Sequence, residues 1–269
     1  MPRKRDPNKR YHDRIAGKYE EIYDDIYWQW HDALTWDYLK KHLPRDLSTP
    51  AIDLGCGSGK WGRRVLKSGF HVTFSDLSHK MVDAARKQVE FENGLEKASF
   101  VQADLMDLSQ LPQQHFGIAM AMGEPLCCTP DPKRALRQIA DILRPDGVLV
   151  ATFDNKVACV DHYLEQSDLD ALERFLKTGR TQWLTRKAEE QFELITSTPG
   201  EIGKWLDRAG FEVIEMVGKT VLPIRRHRDM LNDPGRRRRL SRLEQQLARE
   251  PSNLGRCAHL QVTARRVGG

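Results

Sequence analysis

The sequence contains no run of about 18 apolar residues, so no membrane-spanning helix is predicted. Its opening, Met1-Pro2-Arg3-Lys4-Arg5-Asp6, is basic but lacks the apolar stretch of a secretory signal, and a cytoplasmic protein is expected. No Cys-x-x-Cys or His-x-x-x-His pair occurs, which removes the common zinc patterns, and no metal is expected. The five cysteines (Cys56, Cys127, Cys128, Cys159 and Cys257) are odd in number and irregular in spacing, as reduced thiols are and a disulfide framework is not. Adjacent Cys127 and Cys128 have the chemistry to bind a soft metal or attack a substrate; small buried residues beside a strand is the plainer reading. There is no internal repeat, and no low-complexity tract beyond Arg236 to Arg239.

What is present is the composition of a folded domain: 269 residues, 39% hydrophobic and 30% charged. That length suits one α/β domain with insertions. The net charge of +5 is unevenly spread: residues 1–14 carry six Lys/Arg against two Asp, and a second basic stretch holds Arg225, Arg226, Arg228 and Arg236 to Arg239. Such clusters hold phosphates or simply stay solvated.

Residues 11–42 read as helix, because Ile15, Tyr19, Ile22, Tyr23 and Ile26 recur at spacings of three and four. From Ala51 the pattern alternates. Five strands are expected, near residues 51–54, 71–75, 99–103, 116–122 and 148–153, with helices between them and a turn at Arg144-Pro145-Asp146-Gly147. This alternation implies a parallel sheet with helices on both faces. Helices are then expected near 158–177 and 184–193, an extended piece near 193–196, and a helix opening at Pro199-Gly200-Glu201. A sixth strand near 211–217, a basic helix near 234–249 and a last strand near 259–264 complete the chain.

The informative segment is Asp53-Leu54-Gly55-Cys56-Gly57-Ser58-Gly59. Alternate glycines straight after a strand let the backbone turn sharply and approach a ligand closely. The helix that follows aims its amides and positive dipole end at the same spot. A P-loop would need glycine at Leu54 and a hydroxyl at Trp61, and a dinucleotide fingerprint would need glycine at Lys60. Both fail. Asp76 ends the second strand where a βαβ unit puts an acid that grips ribose hydroxyls, and Ala103-Asp104-Leu105 ends the third.

The Gly-x-Gly-x-Gly loop after an acid resembles motif I of class I S-adenosylmethionine-dependent methyltransferases. Tyr11 to Glu20 resembles the opening of the small-molecule members, and Leu143-Arg144-Pro145-Asp146-Gly147 resembles the turn before their fifth strand. The resemblance implies a seven-stranded, mostly parallel Rossmann-like α/β sheet with helices on both faces. It implies an N-terminal helical lid over residues 1–45, a methyltransferase domain over 46–269, and a substrate-capping insertion over 156–198. It implies S-adenosyl-L-methionine held by Tyr19, Asp53, Gly55, Cys56, Gly57, Gly59, Asp76, Leu77, Ala103, Asp104, Leu105 and Gly123. For Tyr19 the alternative is simple packing of Tyr19, Tyr23 and Tyr27 on the domain.

Methyl transfer is an in-line attack on a sulfonium methyl, so alignment is the protein's main contribution. The loop after strand four, Gly123-Glu124-Pro125-Leu126-Cys127-Cys128, departs from the Asn/Asp-Pro-Pro-Tyr motif of amide and adenine N-methyltransferases. It resembles small-molecule enzymes instead. Glu124 is the first catalytic candidate, with Asp154 and His162 behind it; Trp183, Phe175 and Phe192 are candidates for an apolar pocket. A small molecule accepting at O, N or S is the leading expectation. The rivals are an RNA or protein methyltransferase using the arginine run, and a non-catalytic cofactor-binding protein.

Overall fold

The computed structural model describes residues 6–182 and 187–268. Its centre is a seven-stranded sheet in the order β3-β2-β1-β4-β5-β9-β8. The strands are β1 (Ala51–Leu54), β2 (Val72–Asp76), β3 (Ala98–Gln102), β4 (Phe116–Ala121), β5 (Leu143–Asp154), β8 (Phe211–Lys219) and β9 (His259–Arg266), while β6 (Arg180–Gln182) and β7 (Glu193–Ile195) form a separate small ladder. Only β9 runs antiparallel, wedged between β5 and β8.

Alternation within the buried strands builds two cores. Ile52 and Leu54 of β1 join Ala119 and Ala121 of β4 on one face. Ala51 joins Ile118, Met120 and Phe74 on the other. Helices α4 (Lys60–Lys67) and α5 (His79–Phe91) supply Val65 and Val89 to the second core. Helices α6 (Pro132–Ile142) and α9 (Pro199–Arg208) supply Ile139 and Leu206 to the first. Side chains at the helix starts satisfy the free amides: Asp131 caps α6, and Thr198 with Glu201 forms a full capping box on α9.

The predicted single N-terminal helix is instead three: α1 (Pro7–Ile15), α2 (Tyr19–Ile22) and α3 (Ile26–Leu39). Asp25 accepts from the Trp28 amide and starts α3 afresh, so Ile22 leaves the shared face and is exposed. Helix α3 packs with α10 (Pro234–Leu247) through Trp30, Leu34 and Leu240. Arg144 to Gly147 lie inside β5 as an irregularity: Phe116 pairs with Leu143 but Ile118 pairs with Val148, and Asp146 takes the left-handed φ of +61°.

The insertion holds α7 (Val160–Glu165) and α8 (Leu169–Thr178), as expected for its first half. The second predicted helix does not form over its described part, where a short 3-10 turn (Ala188–Glu190) leads into β7. Strand β7, paired with β6 and reinforced by the Arg180–Glu193 ion pair, is the extended piece expected near 193–196. Trp183 lies outside the described residues. Phe175 stacks on Tyr163, their ring centres 4.8 Å apart, and Phe192 packs on Tyr11 and His12 of α1. Among the described residues, no helix is long and apolar enough to cross a membrane.

Candidate active site

Strand order reverses beside β1, which pairs with β2 on one side and β4 on the other. Open α/β sheets bind ligands in the crevice at such a point, beyond the carboxyl ends of the strands. The loop there carries Gly55, Gly57 and Gly59, with φ of +62°, +54° and +84°. Gly55 also lies so close to the loop after β4 that a β-carbon would stand 2.5 Å from Pro125 Cβ. Asp53 is fully buried beneath the loop; one carboxylate oxygen accepts from the Gly62 amide at 2.8 Å, and the other has no partner among the described residues. Burial pushes its carboxyl up to about 7, an effect the Gly62 amide partly offsets.

Asp76 links this loop to the next. Its carboxylate accepts from the Gly57 amide at 3.0 Å and the Ser78 amide at 2.8 Å. Burial raises its pKa, and the two amides work against that rise. Asp104 is bound into its own turn, accepting from the Met106 amide at 2.9 Å. Leu77, Ala103 and Asp104 line a cavity of about 460 Å³, with Met106, Gln110 and Arg134 among its other walls. Leu105 and Cys56 are buried in the two cores on either side of the sheet.

The N-terminal segment crosses the glycine loop. The Tyr19 ring would meet a β-carbon on Gly57 at 3.2 Å. Asp13 accepts from the Ser78 hydroxyl, while Glu20 accepts from the Ser58 hydroxyl at 3.0 Å and pairs with Arg63. Arg14 pairs with Glu190 of the insertion, so α1 bridges the two segments that flank the crevice.

Beyond β4, Glu124 takes the left-handed φ of +59°, and the amides of Gly123 and Glu124 both donate to the Thr152 hydroxyl, at 2.9 and 3.1 Å. Asp154 and Glu124 meet His259, with one ligating atom from each within 4.8 Å of the others. His259 is the register partner of both Asp154 on β5 and Lys219 on β8, so three strands present one row of ionisable side chains. Lys219 is buried, 3.9 Å from Glu124, and donates to the Thr35 hydroxyl of α3 at 3.4 Å. His31 of α3 closes the cluster, its ring 5.5 Å from that of His259.

These charges tune one another. Burial pushes Asp154 up to about 7, and the nearby Glu124 charge adds to the effect. Burial would raise Glu124 too, but His259 and Lys219 outweigh it and hold the carboxyl below its ordinary value. Burial lowers Lys219 and His259, and takes His31 down to about 4. The ammonium of Lys219, 3.9 Å from Glu124, adds positive charge to this cluster.

Residues 51–147 match the family model of a methyltransferase domain. Over 263 residues the chain is 24% identical to the tRNA 5-carboxymethoxyuridine methyltransferase of Escherichia coli (strain K12), covering 94% of this chain and 95% of that one. Over 190 residues it is 28% identical to the ubiquinone biosynthesis O-methyltransferase of Xylella fastidiosa, covering 70% and 71%. The chain thus carries a methyltransferase domain and resembles the class I methyltransferases. Their fold recurs in an S-adenosylmethionine-dependent methyltransferase from Mesorhizobium loti, at a TM-score of 0.59 and 23% identity, covering 87% of this chain and 98% of that one. It recurs also in the CcbJ methyltransferase of Streptomyces caelestis, at 0.63 and 16%, covering 98% and 100%.

The cofactor that this methyltransferase domain and its structural neighbours imply is S-adenosylmethionine. The crevice fits it: a loop of three positive-φ glycines, a buried acid with an unpartnered oxygen beneath it, and strand-end carboxylates beside a cavity. Glu124 and Asp154 meet on one side of the Gly123 loop. His162 does not join them: it stands on α7, beside Gln166 and the Tyr163 ring. The histidine beside Asp154 is His259, and sequence reasoning missed it along with His31, Lys219 and Thr152. A period-two strand opening on a histidine was visible; its neighbour was not. Cys127 and Cys128 line the same loop, but burial drives both thiols up, which suppresses thiolate chemistry. All five cysteines are free.

Proposed function

We propose that this methyltransferase transfers the cofactor's methyl group to an oxygen, nitrogen or sulfur of a small molecule. In this reading the positive-φ backbone of Gly55, Gly57 and Gly59, with Cys56 and Gly123, holds the methionine end. Asp76 accepts from the ribose hydroxyls, a role suited to a carboxylate with two acceptor oxygens. Leu77, Ala103, Asp104 and Leu105 bound the adenine, and Asp53 fixes the loop from below through Gly62. Residues 1–45 act as a lid, with Tyr19 as the contact on Gly57, and residues 156–198 cap the acceptor.

The observation that carries the acceptor side is the partly buried row Asp154–His259–Lys219, with Glu124 beside it. Bound cofactor supplies an activated methyl, so these residues have only to orient the acceptor and take its proton. Asp154, raised to about 7, is matched to proton acceptance near neutrality. Lys219 and His259 hold the charge that develops on the acceptor atom. The enclosure by α3 suits a compact acceptor group.

A second reading is supported by the match to the Escherichia coli tRNA methyltransferase over 94% of this chain. There the same cluster would receive one nucleoside substituent presented on RNA. The test is incubation with radiolabelled cofactor and fractionated metabolites or total RNA. Label in the small-molecule fractions supports the first reading. Label in RNA alone replaces it with the second, and label in neither, with cofactor bound, removes both.

A further inference from the structure

The arginine run is not part of the transfer site, and the structure gives it a shape. Helices α3 and α10 enclose a groove of about 660 Å³ whose walls include Trp30, Ala33, Arg237, Arg238, Arg239 and Arg242. No acidic residue lines it. Among the described residues, Arg236, Arg237, Arg238, Arg239 and Arg242 form no ion pair, whereas Arg226, Arg228 and Arg249 nearby are each matched to a carboxylate. The unmatched charge is therefore concentrated in the first half of α10, with Arg237, Arg238, Arg239 and Arg242 lining the groove. Trp30 fixes the groove floor, its indole N–H donating to the Ser241 hydroxyl at 2.9 Å. Position matters as well: Trp30 belongs to the groove, and the next residue, His31, about 100° round the helix, belongs to the acid–base cluster, so the two occupy adjoining faces of α3.

We propose that this groove binds the phosphate backbone of an RNA. Clustered guanidinium forks recognise phosphate oxygens through paired hydrogen bonds. From Arg236 to Arg242 the helix rises about 9 Å, more than one phosphate group occupies, so successive phosphates of a chain match it better than a single ester. The wall arginines outnumber the aromatic partners of the groove, and so the contact is to backbone and not to stacked bases. This deepens the RNA reading of the acceptor by naming the surface that would hold it, and it rests on that reading only for the link to methyl transfer.

The test is fluorescence anisotropy of a labelled tRNA transcript with the full chain, beside calorimetry of S-adenosylmethionine. The wild type is expected to bind with a log–log salt slope of about −2, as for three neutralised phosphates on a single strand. The variant Arg237→Gln/Arg238→Gln/Arg242→Gln is expected to bind at least about tenfold more weakly, a loss of about 1.4 kcal/mol, with cofactor affinity unchanged. The Arg→Lys triple variant keeps the charge and is expected to retain most binding, which separates a charge effect from a folding defect. Equal affinity of wild type and the Gln variant overturns the proposal. So does displacement of the tRNA by a polyglutamate peptide at matched charge, which assigns the groove to an acidic protein. Loss of cofactor binding in the wild type would instead strike the methyltransferase reading and leave the RNA titration to be judged by itself.

Discussion

Asp154 and His259 stand directly opposite each other across the β5–β9 ladder, with imidazole Nε2 3.7 Å from a carboxylate oxygen. The pair places a carboxyl with a pKa raised to about 7 beside a ring that burial keeps largely neutral near that pH. A carboxylate accepts a proton only above its pKa, so kcat/KM for an acceptor that must lose a proton is expected to climb through about pH 7. Asp154→Asn should lower kcat by about 10²-fold or more and flatten that limb. A pH–rate profile whose limb survives the substitution would remove Asp154 as the base.

The two histidines near this region separate cleanly. His162→Ala, on α7 beside Gln166, is expected to behave as a neutral surface change, within about 0.5 kcal/mol in stability and with kcat/KM unchanged. His259→Ala should depress kcat more than KM. Steady-state kinetics on both variants decide it; equal losses would return His162 to the site.

Gly57 cannot be replaced quietly. Alanine there adopts a φ of +54° at a cost of about 1–2 kcal/mol and presses on Tyr19. Calorimetry should show weaker cofactor binding for Gly57→Ala. Gly203→Ala, in α9 with open space around it, is the control and should raise stability by about 0.5–1 kcal/mol.

For Asp76, both its amide partners and the ribose assignment predict a large effect. Asp76→Ala should weaken cofactor binding more than Asp104→Ala, because Asp76 also ties Gly57 to Ser78. Equal affinities of wild type and Asp76→Ala by calorimetry would defeat the ribose role.

His31 supplies a stability test with a definite sign. Its folded pKa is depressed to about 4 from its ordinary value of 6.5, so below 6.5 the unfolded chain takes up a proton that the folded one refuses. Its contribution is therefore present above pH 6.5 and lost as the pH falls toward 4, by about 2 kcal/mol at pH 5. Asp53 and Asp154, raised to about 7, act oppositely between about pH 4 and 7, favouring the folded state at the lower end. Urea unfolding of wild type and His31→Phe at pH 5 and 7 isolates the histidine: the variant should lose less stability on acidification.

Much of the cofactor side was legible because its signals are local. Three glycines in five residues and an acid at the tip of the next strand depend only on spacing along one βαβ unit. The N-terminal break was not, because Asp25 caps a new helix while the apolar periodicity runs straight through it. Residues 187–192 misread, since a short 3-10 turn stands there in place of the expected helix, whereas the extended piece near 193–196 is β7. The acceptor side was half legible. Glu124 and Asp154 follow consecutive parallel strands, but His259, Lys219 and His31 reach them through tertiary register, and no local pattern states that the last strand inserts between β5 and β8.

That insertion makes the order of assembly part of the chemistry. The half of the sheet proposed to cradle the nucleoside is complete in residues 51–154, whereas β8 has no ladder to join until β9 arrives. Losing the final strand would therefore do more than fray an edge: it would remove an imidazole, unmoor the Lys219 ammonium and leave a carboxyl without its companions in a single event. A shortened chain of this kind would retain its nucleoside cradle while forfeiting turnover, which separates ligand capture from reaction at one seam in the β-sheet.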